Sequence, residues 1–359
     1  DSFSPFIIGH TVTPSAADGN VGGQILDGNG NPIEGAGVRM SGTQNRLTVT
    51  DAQGNYRFDN VETNGFYTVA PSRANFSFSP AQRSFSALGL HTNAAFNATL
   101  TSGFVNPLDT TEYFVRQQYQ DFLGREPDEA GFNFWVNNIE SCGENAQCRE
   151  AKRIDTSAAF FLSIEFQQTG YLVYKTYQAA YGDLTNAPVP IRLSEFKPDT
   201  AEIGNGVVVN QVGWETLLEN NKRAFVTEFV QRPGFTAAFP TTMTPMEFVD
   251  RLFTNAGVTP SASDRTTAIN EFGSATTSSD VVARGRALRR VAENSVLAQR
   301  EFNAAFVLMQ YYGYLRRNPD SAQDTDHSGY DFWLTKLNKF THPGDDVLVR
   351  IQDAEMVKA

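Results

Sequence analysis

The sequence predicts a multidomain protein, with an N-terminal all-β sandwich of seven strands and a C-terminal all-α region of helical repeats. Three observations lead to this fold class. Short β-type runs separated by turn residues fill residues 19–101, a helical period of apolar residues begins at 109, and one tryptophan-containing motif recurs. A chain of 359 residues is also too long for one ordinary hydrophobic core.

The first eighteen residues precede the predicted strands and lack a regular apolar period. Residues 3–8, which begin with Phe3 and end with Ile8, are mostly apolar, so residues 1–18 are expected to form an arm or linker. Such an arm could add a strand to the sheet edge of a second copy, or it could fold onto its own domain. The seven strands are expected at 21–26, 37–40, 47–50, 55–58, 67–70, 76–78 and 94–100.

The β region carries a family resemblance in three segments, GGQI at 22–25, PIEGAGV at 32–38 and TDAQGNYRF at 50–58. Together they resemble the carboxypeptidase regulatory-like (transthyretin-like) domain. The resemblance implies a transthyretin-like sandwich over residues 19–101, of a type that serves secreted proteins as a non-catalytic spacer or adhesive module.

The helical region contains an internal repeat. The run YQDFLGREPD at 119–128 and GFNFW at 131–135 recurs as YGYLRRNPD at 312–320 and GYDFW at 329–333, and a degenerate copy covers 177–182 and 213–215. This predicts a helical repeat domain at 109–359, with units near 110–168, 169–240 and 295–359. We predict that the three tryptophans are structural anchors in equivalent buried positions between helices, namely Trp135, Trp214 and Trp333.

This repeat pattern resembles the helical domain-of-unknown-function family numbered 4214, found in secreted and surface-associated bacterial proteins. The resemblance runs from about Asp109 to the C-terminus. The family has no established catalytic residues, so the resemblance implies none here, and it implies a secreted bacterial chain.

The two cysteines, Cys142 and Cys148, lie close together in the polar stretch SCGENAQC. A local disulfide fits this loop spacing best, and the pair would then indicate an oxidising compartment. The alternatives are two free thiols, or a metal site that would need further ligands.

An acidic segment in the last repeat, DTDHSG at 324–329, matches the first six positions of a calcium loop. The twelfth position holds Thr335 instead of the bidentate glutamate of that motif. Calcium would be the cofactor on one interpretation, and on the other the segment is a solvated turn that caps the following helix. The predicted ligands are Asp324, Asp326, Ser328 and Asp331.

Composition and motifs exclude several classes of function. The net charge of -11 argues against nucleic acid and anionic membrane surfaces as partners. No apolar run reaches the ~20 residues that span a bilayer, so the chain is predicted not to be transmembrane. The sequence has no nucleophile elbow, phosphate loop or His-Glu-x-x-His motif, so we predict no catalytic residues and no enzyme.

The function expected from the sequence is that of a non-enzymatic structural or surface-attachment protein, secreted to the cell exterior. It would assemble with itself, as an oligomer or filament, through residues 3–8. The alternative is a module that binds a cell-surface glycan or protein through Tyr171, Tyr174, Tyr177 and Tyr181. Those tyrosines are close to helical spacing, so core packing explains them equally well.

Overall fold

The computed structural model describes residues 18–86, 88–322 and 324–339. The chain forms two compact units that do not follow chain order. The first unit comprises the residues up to Arg116 together with Pro127–Ser141, and the second comprises Gln117–Glu126 together with the residues from Cys142 onward. Across the described ranges, no helix combines the length and the apolar character that crossing a bilayer requires.

The first unit is built on two β-sheets. One sheet has the strand order β4-β1-β9-β6, with β8 also paired to β1, and the other has the order β3-β2-β5-β7. Strand β1 is antiparallel to β4 and parallel to β8 and β9. The nine strands are β1 Asp18–Asp27, β2 Gly37–Gly42, β3 Arg46–Val49, β4 Asn55–Glu62, β5 Tyr67–Ser72, β6 Phe76–Ser79, β7 Arg83–Phe85, β8 His91–Asn93 and β9 Phe96–Leu100.

The core of the first unit is formed by alternate residues of both sheets. In β4, buried Tyr56 and Phe58 alternate with exposed Asn55 and Arg57, as the period of two in a strand requires. The side chains of the two sheets form one apolar cluster. Its members include Val21, Ile25 and Phe58 from one sheet, and Val38, Met40, Tyr67 and Val69 from the other.

The fold class is confirmed, with one correction: the described residues contain nine strands, whereas the sequence predicted seven. The two missed strands, β7 and β8, are three residues long and contain no fully buried side chain. Apolar alternation therefore could not reveal them, and only pairing with β5 and β1 creates them. Asp18, the last residue of the predicted arm, begins β1; the rest of the arm, including residues 3–8, lies outside the described residues.

Two helical segments complete the first unit, the start of α1 (Thr111–Gln118) and α2 (Glu129–Glu140). Helix α2 packs on the edge strand β3. The amide of Asn133 donates to the carbonyl of Leu47 at 2.8 Å, and Glu129 binds the guanidinium of Arg46 through both carboxylate oxygens. Because a helix covers it, this sheet edge is not open to pairing with another chain.

The second unit is helical. Its α-helices are α3 Ala146–Leu162, α4 Ile164–Gln168, α5 Gly170–Tyr181, α6 Leu193–Gly204, α7 Trp214–Phe229, α8 Pro233–Ala238, α9 Pro245–Asn255, α10 Ala262–Asn270, α11 Val281–Ala292, α12 Ser295–Gln310 and α13 Ser328–Lys339. Two single π-helical turns, Tyr119–Leu123 and Tyr311–Leu315, also belong to it.

Helix α5 lies at the centre of the second unit. Every residue of α5 except Tyr181 is buried, and the helix contacts α4, α6, α9, α11 and α12. Its buried tyrosine hydroxyls all have partners: Tyr171 donates to the carbonyl of Ala298 and Tyr174 donates to Glu301 at 2.9 Å. A helix surrounded on all sides is stable only if its polar atoms are satisfied in this way.

A buried ion pair joins α5, α6 and the N-terminus of α8. The Asp199 carboxylate, on α6, accepts two hydrogen bonds from Arg232, at 2.8 and 3.0 Å, and one from the hydroxyl of Tyr177 at 2.9 Å. The side chain of Asp199 is 8% exposed, whereas Glu228, a second partner of Arg232, is 53% exposed. The two carboxylates therefore bind one arginine in very different surroundings.

We expect Asp199→Ala to lower the free energy of unfolding by about 3 kcal/mol, because it leaves the buried donors of Tyr177 and Arg232 without their acceptor. Glu228→Ala is the matched control and should cost at most about 0.5 kcal/mol, since that pair is exposed to water. Urea titrations followed by circular dichroism measure both. Equal losses in the two variants would contradict this account.

Candidate binding groove and the predicted site residues

The second unit contains an open groove of about 580 Å³ between α7 and α11, within the size range of ligand clefts. Each helix contributes residues at helical spacing from one face, so the groove follows the two helix axes. It is lined by Glu219, Arg223, Val226 and Thr227 on α7, by Val282, Arg286, Arg289 and Arg290 on α11, and by Glu271 and Glu293 beyond the ends of α10 and α11.

Close helix packing forms the floor of the groove. Gly285 of α11 is buried against α7, and a Cβ atom at this position would lie 3.1 Å from the carbonyl oxygen of Val226. Such a distance is tighter than ordinary side-chain contact allows. Glycine therefore lets the two backbones approach closely, while the longer charged side chains on either side form the walls.

Ion pairs organise the walls. Arg289 binds both carboxylate oxygens of Glu219, at 2.9 and 2.8 Å, and also contacts Glu293 at 3.1 Å. Glu271 receives one hydrogen bond from Arg286 and one from Arg290, both at 2.8 Å. Four arginines and three glutamates line the groove, so its surface is net positive although the whole chain carries a charge of -11.

Two of these arginines keep part of their hydrogen-bonding capacity open. Arg223 donates from Nε to Glu219 at 2.7 Å, and Arg290 donates from Nε to Glu271 at 2.8 Å. Their side chains are 69% and 57% exposed, and within the described residues their terminal Nη atoms form no further hydrogen bond. The Nη1–Nη2 edge of each guanidinium is therefore available for a planar anion.

Two buried lysines interact with Glu293 of the groove. Lys222 lies on α7 and approaches Glu293 at 3.8 Å, while Lys175 lies on α5 with its ammonium 4.6 Å from the ring centre of Tyr171. Burial lowers the pKa of both amines, that of Lys175 to about 8.

The predicted disulfide is confirmed. Cys142 and Cys148 are bonded, with their Cα atoms 5.6 Å apart, a normal separation for a disulfide. The loop they close leads into α3, whose first turn is capped by the Asn145 side chain accepting from the backbone N–H of Cys148 at 3.0 Å.

The tryptophan prediction is wrong as to burial: Trp135, Trp214 and Trp333 are all partly exposed. Trp214 is also not equivalent to the others, because it is the first residue of α7, whereas the other two lie within their helices. The buried anchor of each clear repeat is the aromatic residue directly after the glycine, Phe132 at 1% and Tyr330 at 0% exposure.

The reason lies in helix geometry. The buried residues of α2 are Phe132, Val136 and Ile139, which follow a spacing of four and then three residues along one face. Trp135 lies at the border of that face and packs edge-on against the adjacent Phe134, which is 62% exposed. Trp333 makes the same edge contact with its exposed neighbour in α13.

The two clear repeats do share a local structure. Each contains a π-helical turn closed by a left-handed residue, Gly124 at φ 67° and Arg316 at φ 50°. The next residue in each copy is an arginine whose guanidinium lies over the first tyrosine of the turn, at 5.1 Å for Arg125 and 5.5 Å for Arg317. These arginines also bind carboxylates within the second unit.

In the structure, the predicted calcium loop makes the contacts expected of a turn that caps the following helix. Asp324 binds the guanidinium of Arg317 at 2.6 Å, and Asp326 accepts from the backbone N–H of Ser328, the first residue of α13, at 2.9 Å. Asp331 lies on the exposed side of that helix. In the part of the chain that the structure describes, no three acidic, histidine or cysteine side chains form a metal-binding group. Calcium binding stays a prediction.

The tyrosines named for the alternative binding module do not form an open platform. Tyr171, Tyr174 and Tyr177 are buried in α5, and Tyr181 is partly buried against Phe229 and Phe235. Core packing therefore accounts for their spacing.

The groove residues were not identified from the sequence, although charged residues at helical spacing within 219–227 and 282–293 were visible there.

We expect Phe132→Ala to lower the free energy of unfolding by about 3 to 5 kcal/mol, the usual cost of truncating a fully buried aromatic ring. Trp135→Ala should cost clearly less, because its ring is already partly hydrated. Tyr330→Ala and Trp333→Ala provide the same comparison in the second copy. Denaturant unfolding of the four variants checks the order; tryptophan variants as unstable as their partners would restore the original anchor assignment.

Glu219 offers a pH test of the groove. Hydrogen bonds from Arg289 first, and then from Arg223, lower its pKa from 4.5 to about 2. A lowered folded-state pKa stabilises the fold above pH 4.5, and this contribution is lost as the pH falls towards 2. The stability difference between wild type and Glu219→Gln should therefore be constant near neutrality and shrink through that window. Melting temperatures measured across the range give the result; a difference independent of pH would refute the ion-pair account.

Comparison with known families assigns two regions of the chain. Residues 20–110 match the carboxypeptidase regulatory-like domain, and residues 87–170 match the Domain of unknown function (DUF4214). The second match covers the first clear repeat but not the copy near the C-terminus, and neither curated proteins nor solved structures yielded a match. The chain thus matches the carboxypeptidase regulatory-like domain first and DUF4214 after it, in the order that the sequence motifs predict.

Proposed function

We propose that this chain is a non-enzymatic surface-attachment protein of the cell exterior, and that its helical unit holds a surface component in the groove between α7 and α11. The observation that carries the proposal is the pair of open guanidinium edges, on Arg223 and Arg290, in a chain of net charge -11. A local positive surface on an acidic protein directs anionic partners to that one place.

The compartment is supported by the Cys142–Cys148 disulfide. Disulfides persist in oxidising environments, which in most cells means the cell exterior or the secretory route. The resemblance of the β unit to spacer and adhesive modules of secreted proteins supports the same location.

The first unit would serve as a spacer. Its core is closed between two sheets, and α2 covers the β3 edge through Asn133 and Glu129. Assembly through residues 3–8 stays a prediction, because those residues lie outside the described part of the chain.

Attachment is tested by incubating the purified chain with washed intact cells of its source and sedimenting them. We expect the chain to sediment with the cells at low ionic strength and to be released by added sodium chloride, because the contact is ionic and salt screens it.

In parallel, free thiols are alkylated in intact cells and after lysis. Cys142 and Cys148 should resist alkylation until reduced.

The proposal fails if the chain remains in the supernatant at every salt concentration. The proposed extracellular location is wrong if the native protein is recovered from the cytosol with both cysteines alkylated.

A further inference from the structure

Building on the proposed attachment function, we infer that the groove between α7 and α11 binds a polysaccharide of uronic acids, by holding its carboxylates between Arg223 and Arg290. The inference deepens the proposed function by naming the chemical class of the partner. It follows from the shape of the groove, from the donors left open in it and from its glutamates.

The shape of the groove favours an elongated ligand. The lining residues of α7 run from Glu219 to Thr227 and those of α11 begin at Val282, so the walls extend over two or more helical turns. At a rise of about 1.5 Å per residue, eight residues of α7 alone span about 12 Å. The groove is partly open to solvent, so a linear polymer can enter it from outside.

The donors favour carboxylates. A guanidinium that uses Nε for an internal pair still presents two parallel N–H groups from Nη1 and Nη2, which match the two oxygens of a carboxylate. Arg223 and Arg290 both have this arrangement, one on each wall. Arg289 already binds Glu219 through its two Nη atoms, at 2.9 and 2.8 Å, which shows that an arginine of this groove can hold a carboxylate in bidentate fashion.

The glutamates favour a sugar polymer over a denser polyanion. Glu219, Glu271 and Glu293 lie among the arginines and would repel a chain with closely spaced charges, such as a nucleic-acid duplex or a polysulfate. Their carboxylate oxygens can instead accept hydrogen bonds from hydroxyl groups. A uronic acid presents a carboxylate and several hydroxyls on each ring, so it suits both kinds of lining residue.

The lining also argues against neutral glycans. None of the described residues that line the groove is aromatic, and its apolar lining residues are Val226 and Val282. A neutral sugar commonly relies on stacking against an aromatic ring, which these walls do not provide. Recognition by this groove must therefore come from charge and hydrogen bonds.

The test is calorimetric titration of the full disulfide-bonded chain with a short oligogalacturonate at low salt. Poly-L-glutamate, which has carboxylates but no hydroxyls, and dextran, which has hydroxyls but no carboxylates, are the comparison ligands. We expect oligogalacturonate to bind, with affinity falling as salt increases, and the other two to bind at least about tenfold more weakly. Equal binding of poly-L-glutamate, or no binding of oligogalacturonate, would overturn the inference.

The variants separate a specific site from general charge attraction. The double change Arg223→Gln with Arg290→Gln should weaken oligogalacturonate binding by about tenfold or more, because two charge-assisted contacts are lost. The double change Arg223→Lys with Arg290→Lys keeps both positive charges but removes the paired N–H groups of the guanidinium. This variant should bind oligogalacturonate markedly less well than wild type. If the lysine variant equals wild type, the attraction is non-specific and the inference is wrong.

A matched control uses exposed arginines outside the groove. Arg39 and Arg57 are 55% and 58% exposed and lie on the first unit, so Arg39→Gln with Arg57→Gln removes the same charge elsewhere. This control should bind within about twofold of wild type, since neither arginine lines the groove. Circular dichroism and melting curves establish that each variant is folded.

The outcomes distinguish this inference from the proposed function. Salt-reversible sedimentation with cells that persists in the Arg223 and Arg290 variants would leave attachment intact and reject the groove as its site. Binding of oligogalacturonate without any retention on cells would support the ligand class and reject attachment. Loss of both in the Arg223→Gln/Arg290→Gln variant, but not in the Arg39→Gln/Arg57→Gln control, is the result expected if both are right.

Discussion

The helical unit depends on one constraint, the burial of α5 on every side. Its helix must be surrounded by other helices, and each of its polar groups must find a partner inside the protein. Tyr174 donates to Glu301 and Tyr177 donates to Asp199, each at 2.9 Å. Burial raises the pKa of both hydroxyls, so they remain neutral donors. These contacts tie α5 to α12 and α6, and thereby set where the surrounding helices lie.

The groove is a consequence of that packing. Helix α11 packs against both α5 and α7, and Gly285 allows the close approach to α7. On the inner side of α11, Arg284 is 1% exposed and donates to the carbonyls of Ser278 and Phe239 between the rings of Phe235 and Phe248. On the outer side, the neighbouring arginines face carboxylates and solvent. One helix thus uses arginine both as a core residue and as a surface for anions.

The two clear repeat copies share a π-helical turn, whereas neither copy has a buried tryptophan. Both copies end a π-helical turn with a left-handed residue, and glycine accepts this conformation without strain. In the second copy the residue is Arg316, where the left-handed backbone costs about 1 kcal/mol or more. Its guanidinium reaches Asp121 at 3.1 Å, and the side chain of that aspartate is 2% exposed.

The two-part fold class, the region of the sandwich strands, the disulfide and the two clear repeat copies could be predicted from the sequence, because apolar period, turn residues and spacing are local properties. Tertiary structure alone decided the three-residue strands β7 and β8, the grouping of 127–141 with the sheets, and the burial of Phe132 in place of Trp135. The groove, too, arises only from the tertiary structure. Charged faces on α7 and α11 are visible in the sequence, but only long-range packing on α5 brings them together and leaves two guanidinium edges open.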